Sequence, residues 1–211
     1  MVTRRPAATE DATDLRQRIL GASEQLLETE GLAALSMREV ARRSGVTHQA
    51  PYHHFADRET ILAELVTQGF QEMARRLARA NQRHGDSQDA TDRKAAAIEA
   101  GQAYVGFAID HPGVFRIMFR SEVCDPARFP AAQQAGDSAY RELERLVALI
   151  HGEAEVARLS AVYWGQVHGL ASLIVDGPIG QQLGSVRERR VFMRESLAQF
   201  ARFMLGNPLP V

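Results

Sequence analysis

"LSMREVARRSGVTHQAPYHHFADRETIL" (residues 35–62) decides the fold of this chain. Ser36 and Glu39 stand three apart, the spacing of a helix-capping box, and Leu35 and Val40 hold the two apolar staple positions around it. A helix therefore starts at Ser36. It meets a sharp corner at Gly45, because glycine accepts a positive φ. Thr47 is placed to cap a third, short helix running to about His54. Pro51 falls at its fourth position and removes only the first internal bond, which predicts a short or 3₁₀-like turn. Asp57 then caps a long amphipathic helix carrying Ile61, Leu65, Phe70, Met73 and Leu77.

Upstream, Leu15, Ile19, Ala22 and Leu26 keep helical spacing from Asp14, and Gly31 ends that helix. Residues 1–13, with Arg4 and Arg5, read as a disordered arm. Downstream, the polar run 84–92 reads as a loop. The chain then becomes alanine-rich and aromatic, and Pro112 must break its helix. Helices are expected near 131–151, 153–176 and 186–205, the last two separated by "DGPIGQQLG". With no alternating β-branched runs, the expected class is all-α. The expected organisation is a helix–turn–helix head over 14–60, a connecting helix over 61–83, and a larger helical body over 84–207.

Composition narrows the function classes. The single cysteine, Cys124, excludes an internal disulfide and suits a reducing cytoplasm. No apolar run approaches the roughly 20 residues of a membrane helix, and the N-terminus lacks an apolar signal core. The formal net charge of −1 gives no global pull toward nucleic acid. His48, His53 and His54 cluster, but neighbours on a helix point about 100° apart and no further ligand has metal spacing. No metal or cofactor is expected. Nor is there a nucleophile motif for a catalytic triad. The same stretch reads more naturally as a surface for DNA. Its short helix carries side chains that reach base edges and phosphates, and residues 36–56 hold three arginines against one acid.

These residues carry a resemblance. The run "ILGASEQLLETEGLAALSMREVARRSGVTHQAPYHHFADRETIL" is similar to the N-terminal domain of TetR-family transcriptional regulators. The resemblance implies that Thr47, His48 and Gln49 read bases and that Tyr52 and His53 anchor phosphates. Ser36, Arg38, Pro51 and Arg58 complete the implied DNA-binding set. Phe55 and His54 are expected to pack the head. Pro51 replaces a common leucine, and Arg58 stands where lysine is usual; arginine keeps the charge and changes the geometry.

In the body, "VYWGQVHGLASLIVDG" (162–177) resembles a C-terminal subclass of the same family named for Trp, His and Gly. Gly165 and Gly169, four apart, permit close helix contact. With Leu173, Phe192, Leu197 and Phe200 they form the expected interface of a homodimer. Tyr104, Phe107, Phe115, Met118, Phe119, Trp164 and His168 are the expected walls of an apolar effector pocket, although such a stripe also suits plain core packing. The implied function is a dimeric, ligand-responsive cytoplasmic repressor, with double-stranded operator DNA and a small apolar effector as partners. Two other classes compete with it. One is a helical enzyme using His111, His151 or His168, which no spacing supports; the other is an interaction protein that does not bind DNA.

Overall fold

The computed structural model describes residues 7–84 and 89–206, with side chains from Asp14 onward. Those residues form helices α1 (Ala7–Thr29), α2 (Met37–Arg43), α3 (Arg58–His84), α4 (Ala90–Asp110), α5 (Pro112–Met118), α6 (Pro130–His151), α7 (Val156–Val175), α8 (Pro178–Gln182) and α9 (Val186–Leu205). No strand occurs among them. The chain is all-α, as its periodicity requires. Among the described residues, no helix is long and apolar enough to cross a membrane. Part of the arm expected over 1–13 lies outside the described residues. The rest is helical, because α1 begins at Ala7 rather than Asp14.

The head is built from α1, α2 and the start of α3. Gly31 adopts φ 80° and its N–H returns to the Leu26 carbonyl, ending α1 as expected. Ser36 Oγ accepts from Glu39 N–H at 3.3 Å and starts α2. Gly45 takes φ 67° at the corner, and the Arg18 guanidinium donates to the Ser44 carbonyl at 2.6 Å, tying that corner to α1. The third element is a 3₁₀ turn over Ala50–His53, not an α-helix. Pro51 has no N–H to donate, and bonds run Ala50 to Thr47, Tyr52 to Gln49 and His54 to Pro51. Asp57 Oδ1 accepts from Thr60 N–H at 2.8 Å and caps α3.

The long α3 leaves the head and packs against α6 and α4; α4 in turn packs against α9 and α7. One hydrophobic core runs without a break from Ile19, Val40 and Phe55 in the head to Val147 and Ile174 in the body. Pro112 breaks the chain between α4 and α5, as expected. The "DGPIGQQLG" segment is not a plain loop but holds α8, with Pro178 at its first turn. The start of α9 is a complete capping box between Ser185 and Glu188.

Where α5 meets α1, Gly113 lies so close that a Cβ there would sit 2.6 Å from the Leu27 carbonyl carbon and 2.8 Å from Glu28 N. Both obstacles are backbone, so Gly113→Ala must push two helices apart. We expect a loss of about 1–3 kcal/mol or more. Gly21, on the exposed side of α1 with nothing near its would-be Cβ, gives the opposite sign. Gly21→Ala should add about 0.5–1 kcal/mol through helix propensity. Urea unfolding of the two variants checks the pair, and equal effects would contradict the packing described.

Candidate nucleic-acid interface and ligand cavity

The tip of the head is polar and open. Ser36, Arg38, Thr47, His48, Gln49, Tyr52 and His53 are all exposed. The His48 and Tyr52 rings stack with centroids 5.8 Å apart and planes 8° apart, which steadies both side chains without burying either. Tyr52 is 44% exposed, its hydroxyl end free to meet a partner outside the head. Phe55, by contrast, is buried beneath the Arg16 guanidinium, 5.2 Å above its ring, in the packing role expected of it.

The structure diverts two expected contact residues. Pro51 is buried, so it shapes the turn from inside. Arg58 donates from Nε to the Leu35 carbonyl and from Nη2 to the Leu32 carbonyl, both at 2.7 Å. Its planar fork holds two carbonyls that a single ammonium would hold less rigidly. Arg58 is thus a clamp between α3 and the segment before α2. The local positive charge is also smaller than the sequence suggests. Arg42 and Arg43 both bond the Glu39 carboxylate, which holds that carboxyl down to about 2, and Arg43 also pairs with Glu30. Glu39 therefore does not complete a reciprocal capping box. Arg38 makes no ion pair among the described residues.

A cavity of about 510 Å³ opens between α3, α4, α6, α7 and α9. Tyr104, Met118, Phe119 and Trp164 line it, as the sequence suggested. Three other expected wall residues do not. Phe107 lies one turn along α4 from Tyr104, where Arg76 (5.5 Å from the ring centre) and His111 cover it. Phe115 and His168 stand behind the wall, packed on each other at 5.4 Å and on Phe119. His168 reaches the wall through a hydrogen bond, its Nδ1 lying 2.9 Å from the Tyr104 hydroxyl. Sequence reasoning missed Tyr140, Tyr163, Cys124, Asp137 and Glu142, which also line the cavity. Phe70, Met73 and Leu77 of α3 were read only as an apolar stripe; they form its other side.

The expected interface residues divide in the same way. Leu197 is 2% exposed and its methyl groups cover Gly101 of α4, so it belongs to the interior. Phe200 joins the cavity wall and packs on Tyr163. Leu173, Gly165 and Gly169 remain on the outward side of α7, and an added Cβ at either glycine would meet nothing. Phe203 of α9 is also open, 75% exposed.

Head and body meet at α5. Pro112 cannot donate at the first helical position, and the next two N–H groups, from Gly113 and Val114, donate to the Glu28 carboxylate at 2.7 and 3.4 Å. A residue of α1 therefore caps a helix of the body. Beside it, Glu24 Oε1 lies 2.9 Å from His111 Nδ1. Burial raises the Glu28 carboxyl against the opposing pull of those two N–H groups. His111 is raised by its hydrogen bond to Glu24, and Glu24 is lowered by the same bond.

Comparisons with known proteins agree with this geometry. The family model for bacterial regulatory proteins of the tetR family matches residues 19–65, and that for the tetracyclin repressor-like C-terminal domain matches residues 97–198. A solved protein from Rhodococcus sp. RHA1 is 27% identical, with TM-score 0.68 over 88% of this chain and 94% of that one. The TetR-family regulator PfmR from Thermus thermophilus shares the fold at 19% identity, TM-score 0.63, over 85% and 97%. The HTH-type regulator YobS of Bacillus subtilis is 28% identical over 98 residues, 46% of this chain. That match spans 47% of YobS, about half its length. The chain belongs to the TetR family. The family consists of transcriptional regulators, so the histidine enzyme is set aside.

The α1–α5 junction generates a pH prediction. A raised histidine stabilises fully below its ordinary 6.5 and loses that contribution as pH rises through its folded value. A lowered carboxyl stabilises fully above its ordinary 4.5 and loses that as pH falls through its folded value. The His111–Glu24 pair therefore contributes most between these two values. We expect the stability difference between wild type and His111→Gln to be largest there and to shrink as pH rises through the raised folded value of His111. Unfolding titrations across pH measure it; a difference that does not vary with pH would contradict the pairing.

Proposed function

We propose that this chain is a cytoplasmic, homodimeric, ligand-responsive repressor. Its two heads bind a palindromic double-stranded operator, and a small, mostly apolar effector in the cavity releases it. One observation carries this reading: α3 belongs to both sites. Its first turn is clamped to the head by Arg58, and its middle supplies Val66, Phe70, Met73 and Leu77 to the cavity. A helix of 27 residues is a rod of roughly 40 Å. Any ligand that repositions its middle tilts the head at its end, which is coupling through differential affinity for two conformers. Heads reading successive major grooves need a spacing of roughly 34–36 Å or a multiple, so a small tilt in each protomer defeats binding.

The outward face of α7 supports the dimer. Two helix-interior glycines each cost about 1 kcal/mol relative to alanine, and nothing among the described residues of this protomer requires them. Close approach of a second copy does. Trp164, His168 and Gly169 support placing the body in the Trp–His–Gly subclass. The extensive pairing of Arg42 and Arg43 favours the second reading, an interaction module without DNA binding, over any electrostatically driven mode. A salt titration of binding to DNA from the adjacent intergenic region separates the two, because phosphate contacts weaken steeply with salt.

Tyr52→Phe and His53→Ala should weaken binding to all DNA sequences alike. Gln49→Ala should relax discrimination at one base position by about 1–3 kcal/mol. Binding-site selection on the three variants decides between these roles, and reversed outcomes would reassign them. Gly169→Leu should leave the monomer's melting temperature nearly unchanged while shifting light-scattering mass from dimer to monomer. A wild type that is monomeric at micromolar concentration would remove the operator geometry.

A further inference from the structure

Two tyrosines line the cavity, and each places its hydroxyl on a histidine nitrogen. Tyr104 lies 2.9 Å from His168 Nδ1, and Tyr163 lies 2.8 Å from His151 Nε2. Burial lowers the pKa of both histidines, so both rings are neutral near pH 7, each with one acceptor nitrogen. Burial raises both phenols, Tyr163 to about 12, so both keep their protons. The arrangement that strands no hydroxyl proton has each tyrosine donating to its histidine. Trp164 Nε1, which can only donate, fills one lone pair of the Tyr104 oxygen at 3.2 Å. In that tautomer the tyrosine oxygens offer a ligand lone pairs rather than a proton.

The other polar groups of the interior point the same way. Glu142 lines the cavity with its side chain only 12% exposed; its carboxylate accepts from Asn81 Nδ2 at 3.1 Å and shares an ion pair with the largely exposed Arg145. Asn81 Oδ1, behind that wall rather than on it, is buried with no donor among the described residues. Asp137, whose carboxylate accepts from Gln133 Nε2 at 2.8 Å, lies at the exposed rim together with the donors Arg120 and Ser121. The interior is therefore apolar, aromatic and rich in acceptors.

We infer that the cavity, taken as the effector site proposed above, selects a hydrophobic amine whose protonated nitrogen donates to these acceptors while its apolar body lies against Phe70, Met73 and Leu146. A carboxylate of the same shape would set acceptor against acceptor in a desolvated site, where an unmade bond carries its full desolvation cost. The aromatic rims Tyr140 and Trp164 add attraction for a cation.

Three probes of one skeleton test this on the full-length protein: 4-butylbenzylamine, 4-butylbenzyl alcohol and 4-butylbenzoate. Calorimetry, with Trp164 emission as a second readout, should show the amine binding at least about tenfold more tightly than the benzoate, with the alcohol between. Glu142→Gln and Tyr104→Phe should each narrow the gap between amine and benzoate. Should Glu142→Gln fail to fold, the exposed Asp137→Asn carries the same comparison. Benzoate binding as tightly as amine, or no binding by any probe at millimolar concentration, overturns the inference. Amine binding that leaves operator binding unchanged upholds this ligand class and overturns the repressor coupling instead.

Discussion

A carboxylate of the head closes the first turn of a helix in the body, and the rest of the molecule depends on that contact. Glu28 reaches across to α5 because proline leaves the first helical position without a donor and glycine lets the two backbones touch. Helix N-termini attract anionic side chains through their unpaired N–H groups and dipole, and the α1 acid supplies the anion from outside the helix. With Glu24 and His111 alongside, α1 has a polar, directional grip on the segment that turns into the cavity. Apolar packing alone would tolerate sliding; charge-assisted bonds of fixed geometry do not.

The long α3 is held at more than one point. Its N-terminus is held by Arg58 and the Asp57 cap, and farther along Arg76 pairs with Asp110 at 2.9 Å, just before the α4–α5 break. Val66, Phe70, Met73 and Leu77 of the same helix line the cavity that α3 shares with α4 and α6. A rod held in this way and lining a cavity suits transmission, because a void is where packing is least complete. In the head, Arg42 and Arg43 are held by Glu39 and Glu30, which leaves Arg38 and the exposed polar side chains of and before the 3₁₀ turn as its open surface.

Local signals were legible in the sequence wherever a backbone rule acts within a few residues. The Ser36 cap, the Gly45 corner, the Asp57 cap and the Pro112 break all follow from which residues can donate, accept or adopt positive φ. The weakening of the recognition turn to 3₁₀ was also readable, since Pro51 states which hydrogen bond is missing. The Ser185–Glu188 box went unread although it has the same spacing as Ser36–Glu39, and it is the one of the two that closes reciprocally. Arginines at positions 42 and 43 draw Glu39 away, a competition that spacing alone does not reveal.

The sequence by itself determined the long helices, their order, and a polar surface at the tip of a small head, though not α8 or the start of α1. Which face of each long helix turns inward was decided only by tertiary structure. Leu197 and Leu173 are equally apolar, yet one fills the space above Gly101 and the other remains at the surface. Phe107 and Tyr104 are neighbours on one helix, yet Arg76 and His111 cover the first while the cavity exposes the second. Glu28 has nothing in its local sequence to mark it as a cap for a helix that starts at residue 112. Periodicity reports that a face is apolar, and local spacing reports bonds within a turn or two. Contacts between elements tens of residues apart depend on where those elements pack, and only the folded chain decides that.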